Sequence, residues 1–149
     1  MKNRLLNNLF IVIMLLLGAA DLKAQTNDVI TGSWRTFDDE TNQPAAIVFI
    51  SEKNGLFSGL VTKLLDPSAL PTCEKCTDAR KGKSVIGMEI LTGLKKTADS
   101  YTGGQILDPD NGEVYRATIQ LTNQANKLEL RAYIGIPLLG RTQIWTRER

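Results

Sequence analysis

Two segments in the second half of the chain alternate apolar and polar residues, and this constrains the fold more than any other feature. Over Glu113 to Leu121, Tyr115, Ala117, Ile119 and Leu121 interleave with Arg116, Thr118 and Gln120. Over Lys127 to Ile134, Leu128, Leu130, Ala132 and Ile134 interleave with Lys127, Glu129, Arg131 and Tyr133. Successive side chains of a strand point to opposite faces, so a period of two marks a strand with one buried face. A helix would spread the same residues around its circumference. The chain between Gln25 and its end shows no sustained helical periodicity.

The remaining segments read the same way. Gly32–Phe37, Pro44–Ser51, Leu56–Leu65, Ser84–Leu91, Tyr101–Leu107 and Arg141–Arg147 are short runs of β-formers. Turn chemistry separates them: the polar stretch Asp38–Gln43, Lys53-Asn54-Gly55, and Asp108-Pro109-Asp110-Asn111-Gly112. Short links join strands that are antiparallel neighbours, so about eight strands form a meander. Such a sheet hides its edges by closing into a barrel. The expected fold is therefore all-β, one closed antiparallel barrel. An outer-membrane barrel would show an uninterrupted lipid-facing apolar face and aromatic girdles, and these strands show neither. The Gly103-Gly104 pair marks a bulge or a close backbone approach inside its strand.

The start of the chain has a different character. Lys2 and Arg4 precede an apolar run that is densest from Leu9 to Leu17, and Asp21-Leu22-Lys23 leads to Ala24-Gln25. This is the pattern of a secretory signal, and the run is short of the roughly 20 residues a membrane-spanning helix needs. Residues 1–24 are read as a cleaved signal peptide and 25–149 as the single barrel domain. The first cysteine is Cys73, so no lipid attachment is expected at the cleavage site. The protein is expected in the periplasm or secreted, soluble, with no span left after cleavage. The chain carries 18 basic and 16 acidic residues, and without Lys2, Arg4, Lys23 and Asp21 the two are equal. A domain of that charge has no electrostatic reason to bind nucleic acid. The basic cluster Arg80, Lys81 and Lys83 reads as a solvated loop.

There is no histidine. That removes Ser-His and Cys-His catalysis and histidine-based zinc sites. Asp38, Asp39, Asp66, Asp78 and Asp108 could serve acid–base chemistry, but sequence supplies no pairing geometry, and no catalytic residue or cofactor is assigned. Asp108-x-Asp110-x-Gly112 lacks the glycine and glutamate spacing of a calcium loop, and a hairpin turn accounts for it. The one long irregular segment, Asp66–Lys83, holds Cys73-Glu74-Lys75-Cys76. In an exported protein with two cysteines, a disulfide is the default state. A thiol-redox pair is the alternative reading. Metal binding would need further ligands that neither His nor Cys supplies.

Gly32-Ser33-Trp34 opens the first strand and Trp145-Thr146-Arg147 closes the last. In a closed meander these strands are neighbours, and Arg147 stacked on Trp34 would seal the barrel. That arrangement resembles the Gly-x-Trp and terminal Arg of lipocalin-like (calycin) barrels. A closer resemblance covers Gly32 to Arg147. Gly32-Ser33-Trp34-Arg35-Thr36, Cys73-x-x-Cys76 with Gly82-Lys83, Gly103-Gly104-Gln105-Ile106-Leu107-Asp108-Pro109 with Asn111-Gly112 and Tyr115, and Tyr133-Ile134-Gly135 through Leu138-Leu139-Gly140-Arg141-Thr142-Gln143 to Trp145 and Arg147 are similar to the family known as domain of unknown function 2147. Ala132 and Pro137 depart from it, standing where Gly and a small polar residue are expected. The resemblance implies a small exported bacterial protein of one domain, and carries no activity with it.

Three functions follow, in order of preference. A small barrel can hold one small apolar or amphipathic ligand. The apolar link around Ile136, Leu138 and Leu139, flanked by Tyr133 and Arg141, is a candidate surface for that ligand or for an envelope protein partner. Thiol-redox chemistry through Cys73 and Cys76 comes last.

Overall fold

The computed structural model describes residues 29–122 and 125–149, and the proposed signal segment lies outside them. The alternating segments form eight strands: β1 (Gly32–Phe37), β2 (Pro44–Lys53), β3 (Leu56–Leu64), β4 (Glu89–Lys96), β5 (Tyr101–Leu107), β6 (Val114–Thr122), β7 (Lys127–Tyr133) and β8 (Arg141–Arg147). They follow one another around a closed barrel in chain order, every neighbouring pair antiparallel. The β7 register sets Leu128 opposite Trp145, Leu130 opposite Ile119 and Ala132 opposite Ala117. All six are buried, so the alternation read from the sequence is the inward face of the wall.

One element differs from expectation. The fourth strand begins at Glu89, not Ser84, and the irregular segment runs on through Met88. Val85 and Met88 are apolar because the loop packs them inward over the barrel. The loop meets β3 through only two hydrogen bonds, Gly87 N–H to the Val61 carbonyl (2.7 Å) and Val61 N–H to the Met88 carbonyl (3.0 Å). An apolar run buried against a barrel end has the composition of a strand without its ladder.

The seam between β1 and β8 is the shortest in the barrel, with Trp34 opposite Arg147 and Arg35 opposite Thr146. It is reinforced from outside the ladder. Arg35 binds Glu148 through two charge-assisted hydrogen bonds of 2.9 and 3.0 Å, and the Glu148 N–H donates to the Ser33 carbonyl at 2.9 Å.

The interior is filled unevenly. Ile30, Trp34, Ile50, Leu94, Ile119 and Leu128 are almost completely buried and pack the half toward the β2–β3 and β4–β5 hairpins. Gly104 makes room there: a Cβ at its position would lie 2.5 Å from Leu94 Cγ, and the β5–β6 register shifts between Tyr101 and Gly104. The other half keeps an open cavity.

Candidate functional site

The two barrel ends differ because different loops meet there. At the packed end, Arg147 projects from the last strand over Trp34, with its guanidinium carbon 4.2 Å from the ring centroid. It donates to the carbonyls of Ala125 (2.9 Å), Thr31 (2.9 Å) and Val29 (3.0 Å), tying the incoming chain and the β6–β7 turn to β8. Trp34 donates its own N–H to the Ile30 carbonyl at 2.7 Å. No carboxylate faces Arg147 in this set, and burial pushes its pKa below the usual guanidinium value. These residues form a plug.

At the opposite end the loops 38–43, 65–88 and 108–113, with Arg141 and Gln143 of β8, surround a cavity of about 530 Å³. Val48, Val61, Ile106, Leu130, Ala132 and Trp145 form its apolar floor and walls. The rim is polar. Arg141, the first residue of β8, bridges Asp39 of the β1–β2 loop (3.0 Å) and Asp108 of the β5–β6 turn (2.7 Å). Its guanidinium also sits 5.0 Å from the Tyr115 ring centroid. Burial by itself would lower the Arg141 pKa, but the Asp108 hydrogen bond, with the charges of Asp39 and Asp108, raises it overall. A chain of hydrogen bonds leads from this ion pair to the cavity floor. Gln143 donates to Asp39 at 3.0 Å and accepts the Trp145 indole N–H at 3.1 Å.

The other rim carboxylates are held individually. Asp38 is lowered by hydrogen bonds from the Thr41 hydroxyl and N–H, and Asp66 by the Ser68 hydroxyl and N–H. Asp110 behaves oppositely. Partial burial, then the negative charges of Asp108, Asp38 and Asp66, push its pKa up, with only Lys75 opposing them. Among the described residues no group of three or more Cys, Asp or Glu converges closely enough to hold a metal ion.

The surface proposed from the sequence divides in three. Arg141 belongs to the cavity rim. Tyr133 falls on the outer side of β7, in step with Glu129 and Arg131 and out of step with the buried Leu130 and Ala132. Ile136, Leu138 and Leu139 lie on a tip beside the cavity mouth, where Pro137–Leu139 forms one 3₁₀ turn. Leu138 is 82% and Leu139 79% exposed. Arg131 fixes the tip from below, donating to the Pro137 and Leu138 carbonyls (2.9 and 3.1 Å) and to the Thr142 hydroxyl (2.8 Å).

Cys73 and Cys76 are joined by a disulfide, and both residues are buried. Exchange requires a thiolate to reach one of the sulfurs, and this conformation gives it no path. The bond shapes the long loop instead. Around it Cys73 N–H donates to the Lys83 carbonyl and Gly82 N–H to the Cys73 carbonyl, both at 2.9 Å. The Lys75–Cys76 backbone lies directly on Gly112 of the β5–β6 turn, where a Cβ would collide with the Lys75 carbonyl and where φ is +77°. Through this contact the loop that contributes Ser68, Ala69, Leu70 and Val85 to the cavity wall is held against the neighbouring β5–β6 turn of the mouth.

Sequence reasoning missed the cavity floor and Gln143, and named Asp38, Asp39, Asp66 and Asp108 without their common location; Asp78, named with them, pairs with Arg80 outside the cavity lining. The missing signal was positional. Inward residues nearest the ends of β1, β3, β5 and β7 and the starts of β2, β4, β6 and β8 all fall at one mouth once the meander closes.

The profile of the family described as "Uncharacterized protein conserved in bacteria (DUF2147)" matches residues 32–147. A solved structure, described as "Protein HP1028 from the human pathogen Helicobacter pylori belongs to the lipocalin family", superposes with a TM-score of 0.71 at 22% identity, over 81% of this chain and 84% of that one. At that identity the likeness is one of fold. No curated protein matches the sequence.

Proposed function

The chain belongs to the DUF2147 family of bacterial proteins, and we propose that it is an exported, non-catalytic binding module whose open-end cavity takes one small apolar or amphipathic ligand. The observation that carries this is the uneven filling of the barrel. One end is plugged by Trp34 and Arg147, and the other keeps a cavity of about 530 Å³ with an apolar floor and a polar rim. Small-molecule sites have this size and this combination of apolar walls with few polar groups. The lipocalin-like neighbour supports the reading at the level of fold. Burying about 300 Å² of an alkyl chain contributes roughly 7 kcal/mol, and ordering costs reduce this, so a Kd of tens to hundreds of micromolar, on the order of 5–6 kcal/mol, is expected. Export is supported by the disulfide, which persists in oxidising compartments, and by the signal-like first 24 residues. No helix among the described residues is long and apolar enough to cross a membrane.

Titration with N-phenyl-1-naphthylamine, a neutral apolar fluorophore, tests the reading. Saturable binding of one equivalent, with energy transfer from Trp145, is expected. Ala132→Phe, which fills the cavity from its wall, should abolish binding while the circular dichroism spectrum stays that of a folded barrel. No saturable binding to the unmodified protein would refute the proposal.

A second reading, an envelope protein-interaction module, is favoured by the exposed tip of Ile134, Ile136, Leu138 and Leu139. Charged substitution of Leu138 and Leu139 should then abolish capture of a partner without altering stability. Unchanged capture would count against it.

A further inference from the structure

Resting on the binding reading above, we propose that the ligand is an amphipathic cation, with an apolar tail in the cavity and an ammonium- or guanidinium-type head at its rim. The cavity is the site, and its rim decides the charge it accepts. Asp38, Asp39, Glu40, Asp66, Asp108 and Asp110 line the mouth, and Arg141 is the one cationic side chain among the cavity-lining residues. Arg141 is already engaged, at 3.0 Å from Asp39 and 2.7 Å from Asp108, with Tyr115 beneath it. An anionic head group would have to break those ion pairs and then face the remaining carboxylates. A cation leaves them intact.

The hydrogen bonds that hold Asp38 and Asp66 come from Thr41 and Ser68, which orient the carboxylates without neutralising them. The Asp110 side chain has no ion pair among the salt bridges of the described residues; burial and three neighbouring negative charges raise its pKa, and Lys75 alone opposes them. The potential over the mouth is therefore negative and largely uncompensated. A concave, partly enclosed mouth concentrates such a field.

The size of the cation follows from the spacing. The carboxylates are distributed around the mouth on three separate loops, and among the described residues they do not converge on a point that could hold a metal ion. A diffuse organic cation fits that ring better than a compact one. The apolar floor beneath the ring supplies the other half of the recognition.

Isothermal titration with three probes of equal tail length tests the inference: decyltrimethylammonium, decyl glucoside and decanoate, each below its micellar concentration. At low ionic strength the trimethylammonium should bind at least tenfold more tightly than decanoate, with the glucoside between them. The advantage should shrink as salt shortens the screening length to about 10 Å near 0.1 M. It should also shrink severalfold in the Asp66→Asn, Asp110→Asn double variant, read as the ratio of trimethylammonium to decanoate affinity. Equal or tighter binding of decanoate, with the glucoside still bound, would overturn the cationic preference and leave the binding module standing. Failure of all three to bind would overturn both.

Discussion

Truncating Arg147 to Ala should open the plugged end of the barrel and destabilise the whole protein. The side chain makes three hydrogen bonds to backbone carbonyls, those of Ala125, Thr31 and Val29, at 2.9 to 3.0 Å. Hydrogen bonds from a charged donor contribute about 1.5 kcal/mol each at the low end of their range, which suits a partly exposed group. Stacking on Trp34 at 4.2 Å adds about 1 kcal/mol. Against this stand the cost of partly burying a guanidinium that has no counter-ion among the described residues, and the rehydration of some freed carbonyls. The expected net loss is about 3 kcal/mol, a large share of the roughly 5–15 kcal/mol that stabilises a domain. For a barrel of this size that lowers Tm by roughly 10 °C. Arg147→Lys should lose about 2 kcal/mol, because an ammonium cannot reach three carbonyls from one plane or lie flat on the indole. Urea unfolding followed by circular dichroism measures both through the midpoint, with the slope unchanged. A double-mutant cycle with Trp34→Phe should return a coupling of about 1 kcal/mol. If both Arg147 variants stay within about 0.5 kcal/mol of wild type, the plug is not what closes the thin β1–β8 seam and the reasoning fails.

Other outcomes can be checked with the same preparations. Gly112→Ala forces a Cβ into the Lys75 carbonyl at φ +77° and should cost about 3 kcal/mol, with faster tryptic cleavage at Lys75, Arg80, Lys81 and Lys83; unchanged proteolysis would show that the loop does not depend on this contact. Tyr101→Phe removes a buried hydroxyl that has no hydrogen-bond partner among the described residues, so stability should rise or stay level, by up to about 1 kcal/mol. A loss above that range would reveal a hidden partner. Because the folded-state pKa of Asp110 is raised above its ordinary 3.8, ionising it opposes folding above that pH and has no effect well below it. Asp110→Asn should therefore stabilise the protein at pH 7, and the gain should vanish as pH falls below 3.8. Asp38, Asp66, Asp78 and Glu148 are shifted the other way, so their contribution is present above about pH 4.5 and lost as acid titrates their folded forms. An acid-stability profile that is flat between pH 5 and pH 2 would contradict those assignments.

Strand identity was readable wherever one face meets the core and the other meets water. Leu128, Leu130 and Ala132 against Lys127, Glu129 and Arg131 leave no other period, and the turn chemistry of Asp108–Gly112 fixes where the strand before it stops. Strand placement failed at Ser84–Met88, because burial of Val85 and Met88 under a loop leaves the same composition as a strand. The pairing of Trp34 with Arg147 was legible because a closed meander must bring its ends together. The mouth was not. Asp39 and Asp108 come from loops and Arg141 from the start of β8, all far apart in sequence, and only closure of the barrel places both carboxylates within 3.0 Å of the Arg141 guanidinium. The cavity itself depends on how far Trp145 and Leu130 fill the barrel, which no local pattern encodes.

The central claim is that the open end holds a small ligand, and native mass spectrometry tests it most directly. The protein, purified gently from its source cells and, separately, stripped and titrated with decyltrimethylammonium, should carry one extra mass that disappears on denaturation and is absent from Ala132→Phe. A bare polypeptide under every condition, or an adduct equally abundant in the filled-cavity variant, would contradict the account.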